Sequence, residues 1–171
     1  MEYSFVYHDN LQLVEIKRIT KIGDIQPNDN LRLPNLMDDD LILGDLAMII
    51  ESVYGHKEII LGQITMDTDM LAKQFVIHKM PETDYVFTEF TSSISYSQLR
   101  IEQELEKIII KEGVKMHNKF VIIFPEAIPM NAEEKVLHQY WVPIDYPDRS
   151  KRLSDTLPDA IPKRMFNFFQ S

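Results

Sequence analysis

The chain has 171 residues, no cysteine and a formal net charge of −9. That length suits one domain with a sizeable core, and the missing cysteines exclude a disulfide scaffold, thiol catalysis and Cys-ligated metal centres. No apolar run approaches the roughly 20 residues that span a bilayer, and the polar, acidic first residues do not resemble a signal peptide, so a cytoplasmic protein is expected. The charge is uneven. Residues 147–171 carry Arg149, Lys151, Arg152, Lys163 and Arg164 against Asp148, Asp155 and Asp159, a net of +2, which leaves −11 on the body. A body that acidic repels phosphate backbones, so nucleic acid is not an expected ligand.

Tyr3-Ser4-Phe5-Val6-Tyr7 reads as a strand, ended by a turn at Asp9-Asn10. Val14 to Ile19 alternates apolar with charged residues and reads as a half-buried strand. A loop rich in Asn, Asp and Pro follows from Gly23 to Pro34. Asp38, Asp39 and Asp40 then stand where a helix N-terminus favours negative charge. Leu43, Leu46, Ala47, Ile50, Val53 and Tyr54 continue at helical spacing, with Gly55 as a stop, and predict a first amphipathic helix. Glu58 to Met66 and Gln74 to His78 read as strands, joined by a hairpin turn at Asp67-Thr68-Asp69.

Pro81 to Asp84 links this unit to a second one. Tyr85 to Phe90 is a strand by composition. Ser95 with Gln98 matches a capping box, with Ser97 as a competing cap, and Ile101, Leu105, Ile108 and Ile109 form the stripe of a second helix that Gly113 ends. Phe120 to Phe124 is a buried strand bounded by Pro125. Gln139 to Ile144 is the last strand, in which Pro143 predicts an edge or a bulge. The order strand, helix, strand, strand thus occurs twice, over Val14–Lys79 and Asp84–Ile144. The expected fold is α+β: one antiparallel sheet of two related halves over residues 1–146, with helices on one face, followed by a tail over 147–171.

Pro81 through Phe90, which resembles a Pro-x-x-x-Tyr-x-x-Phe opening of the second repeat, the helix closing at Gly113 and the final Tyr140-Trp141-Val142-Pro143-Ile144 resemble the GyrI-like family of effector-binding domains. The resemblance spans nearly the whole chain except the tail. It implies a pseudo-twofold antiparallel sheet, helices packed on one face and a ligand groove on the other. Two positions depart from the family pattern. Ser92-Ser93 stands where Gly-Pro is usual, and His138-Gln139 where an acidic residue often precedes the closing strand, which lessens the pull on a cationic ligand. In size, acidity and lack of cysteine the chain is also similar to EsaE-type accessory proteins of type VII secretion, cytoplasmic chaperones of a secreted toxin.

Tyr85, Phe87 and Glu89 alternate along one strand and share a face, and Trp141 joins them if Tyr140, Val142 and Ile144 point towards the helices. These four residues are the candidate groove. Glu89 among aromatics is suited to general acid–base work or to holding a cation, with Tyr85 and Trp141 as a cation–π wall; a solvent-facing Glu on an alternating strand is the plainer alternative. His8, His56, His78, His117 and His138 lie in unrelated elements and read as surface or turn residues, so no metal site is expected. Asp38 to Asp40 are read as helix-start charge, and the five glycines form no phosphate loop, so no cofactor is expected. In the tail, Phe166, Phe168 and Phe169 behind Lys163 and Arg164 form a candidate partner-binding segment, or one that folds back on the body.

Three functions follow. The first expectation is a non-enzymatic accessory or chaperone that binds a protein partner, a secreted toxin or secretion component, in type VII secretion. The second is a stand-alone binding protein for a cationic or aromatic small molecule. The third is a small-molecule hydrolase using Glu89.

Overall fold

The segment Leu46-Ala47-Met48-Ile49-Ile50 is apolar at every position, so it is satisfied only where both of its sides are covered. In the computed structural model, which describes residues 1–25, 43–66 and 74–146, that segment is the middle of a central strand. The elements in chain order are β1 (Ser4–His8), β2 (Gln12–Ile19), a short 3-10 turn (Ile22–Asp24), β3 (Leu43–Val53), β4 (His56–Thr65), β5 (Ile77–Lys79), β6 (Thr83–Ser92), α1 (Ile94–Glu112), β7 (Lys115–Met116), β8 (Lys119–Phe124) and β9 (Val136–Asp145). The strands form one sheet in the order β1-β6-β9-β8-β3-β4-β2-β5, with β7 also pairing β9, and every ladder is antiparallel.

That order repeats itself from each edge inwards. β1, β6, β9 and β8 on one side match β5, β2, β4 and β3 on the other, and β3 and β8 pair at the centre, Met48 opposite Ile122. The repeated sheet is therefore present, but its first unit is built differently from the expectation. Leu43 to Val53 is β3, not a helix. Met48 and Ile50 enter the core on the side of α1, while Ala47 and Ile49 enter the core on the opposite side. A strand buried on both faces contains helical spacing by accident, because it contains every spacing. Asp38, Asp39 and Asp40 lie outside the described residues.

The expected β4–β5 hairpin is also replaced. β5 pairs with β2, which separates it from β4. β9 is interior rather than an edge strand: Pro143 faces Tyr85 of β6 where the ladder to β8 has ended at Trp141 and the ladder to β7 starts at Ile144. The missing proline N–H thus falls at a break in the neighbouring ladder, as a residue with no donor requires.

α1 begins one residue after Ser93, whose hydroxyl accepts from the Tyr96 N–H at 3.2 Å, so Ser93 rather than Ser95 or Ser97 is the cap. Gly113 ends it in the left-handed conformation, φ 65°, donating its N–H to Ile109. Ile94, Ile101 and Ile108 are buried against Val86, Ile122, Tyr140 and Val142 of the sheet, at about 2 kcal/mol for each such side chain. Ser97 is buried for a different reason. His138 donates its Nδ1–H to the Val136 carbonyl at 2.8 Å, which leaves Nε2 as an acceptor for the Ser97 hydroxyl at 2.7 Å, closer than the alternative Ile94 carbonyl at 3.1 Å. The Tyr140 hydroxyl then donates to Ser97 at 2.7 Å. Burial lowers the His138 pKa against the opposing pull of the Val136 carbonyl, and burial raises that of Tyr140. The ring is neutral and fully buried, which corrects its expected surface position: a polar chain that satisfies its own donors can dock helix on sheet.

Candidate cation-binding cleft

On the face away from α1, side chains form rungs across the strands. One rung runs Ile60, Ile49, Val121, Trp141, Phe87 and Ser4, from β4 to β1. The next carries Gly62, Ala47, Ile123, Gln139 and Glu89. Tyr140, Val142 and Ile144 turn into the helix-side core, so Trp141 joins Tyr85, Phe87 and Glu89 on one face. Its ring lies 4.5 Å from that of Phe87 and 6.3 Å from that of Tyr85, and His8 sits 6.4 Å from both Tyr85 and Trp141.

The four residues do not share one exposure. Tyr85 is 0 % and Trp141 3 % exposed, closed off behind Phe87, whereas Phe87 and Glu89 are half-buried and border open space. That space is a cleft of about 410 Å³ lined by Glu2, Tyr3, Ser4, Phe87, Thr88 and Glu89. Thr88 donates its hydroxyl to the Glu2 carbonyl at 2.7 Å and so holds the start of the chain along β6. Continuing the Ser4–Phe87 register by two residues sets Glu2 opposite Glu89. Gln139, directly across the β6–β9 rung, donates its amide N–H to a Glu89 carboxylate oxygen at 3.1 Å. Among the described residues two carboxylates line the cleft and no Lys, Arg or His does.

Behind the cleft the burial is severe enough to set protonation. Burial pushes His8 down to about 4, against a small opposing effect of Asp9, and pushes the Tyr85 phenol up; that phenol donates to the Pro81 carbonyl at 2.5 Å. The Trp141 indole N–H is buried without a hydrogen-bond partner. His8 is thus a second histidine that the expected surface placement misassigned. Of the others, His78 contacts Glu15 at 2.7 Å, His117 contacts Asp145 at 3.0 Å and His56 is exposed. Among the described residues no group of three or more His, Asp or Glu is placed to hold a metal ion.

Glu2 and Ser4 were not among the sequence candidates. Their only signal was the acidic, strand-like start of the chain, and their place depends on β1 pairing with β6, some 80 residues away. Lys163, Arg164, Phe166, Phe168 and Phe169 lie outside the described residues, so the expected partner-binding segment has no structural counterpart here.

Three solved structures share this architecture. The structure of SAV2435 bound to tetraphenylphosphonium matches with a TM-score of 0.52 at 15% identity, covering 85% of this chain and 94% of that one. The EcmrR C-terminal domain matches with a TM-score of 0.56 at 10% identity, covering 85% and 98%. A hydrolase encoded by lin2189 from Listeria innocua gives 0.56 at 11%, covering 84% and 92%. The fold is GyrI-like. No protein-family model matches the chain, and no curated protein matches its sequence. At these identities the GyrI-like likeness concerns the fold and leaves the ligand to be argued from the cleft itself.

Proposed function

We propose that this chain is a non-enzymatic small-molecule binding protein that takes an organic cation in the cleft between its first residues and β6. The observation that carries this reading is the lining: Glu2 and Glu89 beside Phe87, with no basic side chain lining the cleft among the described residues. A cation gains charge-assisted contacts there, and the acidic body raises its local concentration. The tetraphenylphosphonium bound to SAV2435, on the same fold, supports the same ligand class. Trp141, the one tryptophan of the chain, lies 4.5 Å from the Phe87 ring and reports on the site. Titrating organic cations against its fluorescence should give saturable binding that Glu89→Gln weakens at least tenfold. A flat response to every cation, confirmed by calorimetry, rejects the reading.

The hydrolase reading also centres on Glu89, and the lin2189 protein lends it a neighbour of the same fold. Turnover of an ester or amide that Glu89→Gln abolishes would favour it over simple binding. No comparison supports an accessory role in secretion, and the segment that motivated a protein partner lies outside the described residues.

A further inference from the structure

The cleft offers a cation two different kinds of attraction in unequal amounts, and we infer that it selects cations bearing N–H donors, such as short diamines and aryl amidines, over cations whose charge is shielded by carbon. This inference rests on the cation-binding reading above and narrows its ligand class.

A shielded cation such as a tetraaryl phosphonium has no donor to give. It gains from aromatic faces and from burial of its own apolar surface, and that gain is large only in a desolvated cage. This chain has the rings for such a cage but keeps them shut. Tyr85 and Trp141 are buried, and the two rings meet each other and His8 in T-shaped contacts. Among the described residues one half-buried ring, Phe87, remains beside the open space, since Tyr3 packs against the helix-side core. One ring makes a wall and not a cage.

The polar side of the cleft is richer. Glu89 is held in place by the Gln139 amide, Glu2 follows it across the β1–β6 register, and the exposed Ser4 adds a hydroxyl that accepts as well as donates. These groups accept hydrogen bonds, and an acceptor-lined site rewards a ligand in proportion to the donors it presents. Two carboxylates in the lining of one cleft suit two ammonium groups on a short chain. One planar amidinium on an aryl ring suits Glu89 with Phe87 beneath it.

Calorimetric titration of the full chain with 1,4-diaminobutane, benzamidine and tetraphenylphosphonium tests this. The diamine and benzamidine should each bind at least tenfold more tightly than the phosphonium. Glu2→Gln, at an exposed position where folding is easily verified by circular dichroism, should weaken the diamine about tenfold and benzamidine less than threefold. Glu89→Gln should weaken both at least tenfold. Tighter binding of tetraphenylphosphonium, lost in Glu89→Gln, would overturn the selectivity while leaving the cation-binding reading intact. Equal effects of Glu2→Gln on all three would overturn the two-carboxylate match. Absence of binding by any of the three at millimolar concentration would overturn both.

Discussion

The two flanking strands β1 and β5 occupy equivalent places at opposite edges of the sheet, and each carries a histidine, yet the two sites handle charge in opposite ways. His8 on β1 is pressed between the Tyr85 and Trp141 rings and is neutral. His78 on β5 touches Glu15, which also accepts from Arg18 Nε at 2.8 Å, and Arg18 continues to Glu58 at 2.5 Å. The β1 side has a regular register, Ser4 to His8 against Phe87 to Thr83, and a dry aromatic backing for its cleft. The β5 side has a bulge in β2 between Glu15 and Lys17, and a wet ion network over it. Repeating an architecture does not repeat its chemistry. The half with the unbroken register holds the candidate site; the half with the bulge is secured by charge pairs.

The comparison breaks most sharply at Gly62. It faces Glu15 at the bulge, and a Cβ there would lie 1.9 Å from the Val14 carbonyl oxygen and 2.7 Å from Leu13 Cδ2. Since the obstacle is backbone, the strand itself must move. Gly62→Ala should lower stability by about 4 kcal/mol or more in urea unfolding. A wild-type midpoint would mean that the bulge is not where the two halves differ.

The next effect belongs to His8. Folded, it titrates near 4; unfolded, it returns to 6.5. Between those values the unfolded chain binds the extra proton, so the stabilisation is complete above 6.5 and is lost as pH falls towards 4. The shift corresponds to about 3 kcal/mol. His138, also lowered, adds a loss of the same sign. Urea midpoints measured from pH 7.5 down to 4 should fall steeply, and His8→Phe should flatten the curve. A slope unchanged by that substitution would remove His8 as its source.

The smallest effect is at Glu15. Burial alone would raise its pKa, but the contacts with His78 and Arg18 outweigh that and hold it below the usual carboxylate value. The contribution is present above about 4.5 and is lost as pH falls through the lowered value, a window below that of His8. Arg18 and Glu58 are open to water while Glu15 and His78 are half-buried, so Glu15→Gln should lose about 1 kcal/mol, and less in 1 M salt. A salt-independent loss of several kcal/mol would place this network in the core and undo the wet-versus-dry contrast.

Much of this was legible in the sequence where one face of an element meets water. α1 was readable from an apolar stripe that repeats against a polar side, and β6, β8 and β9 from strand-forming composition, with Pro125 bounding β8; alternation along β6 places Tyr85, Phe87 and Glu89 on one face. Leu46 to Ile50 was not, because burial on two faces removes the polar positions that mark a period. In retrospect Met48 and Ile49, apolar residues off the supposed helical stripe, were the sign. The burial of His8 and His138 was equally hidden. Each depends on partners from distant strands or on a helix packed across them, and nothing in neighbouring residues announces it. The closure of Tyr85 and Trp141 behind Phe87 is of the same kind, since alternation gives the face but not the depth.

The pairing of β1 with β6 also governs how this chain assembles. β1 precedes the half it belongs to, so that half closes only after the other, contiguous half of β2 to β5 has been made. β1 has no sheet partner until β6 emerges, and β3, already paired with β4, gains its second neighbour only with β8. Loops of this length must close before any pairing energy is returned, which places the chain among slow, high-contact-order folders. Until then Tyr3, Phe5 and Tyr7 form an unpaired aromatic strand. The nascent protein is therefore most prone to aggregation while its first ten residues are exposed, and the cleft they help to line is among the last features to form.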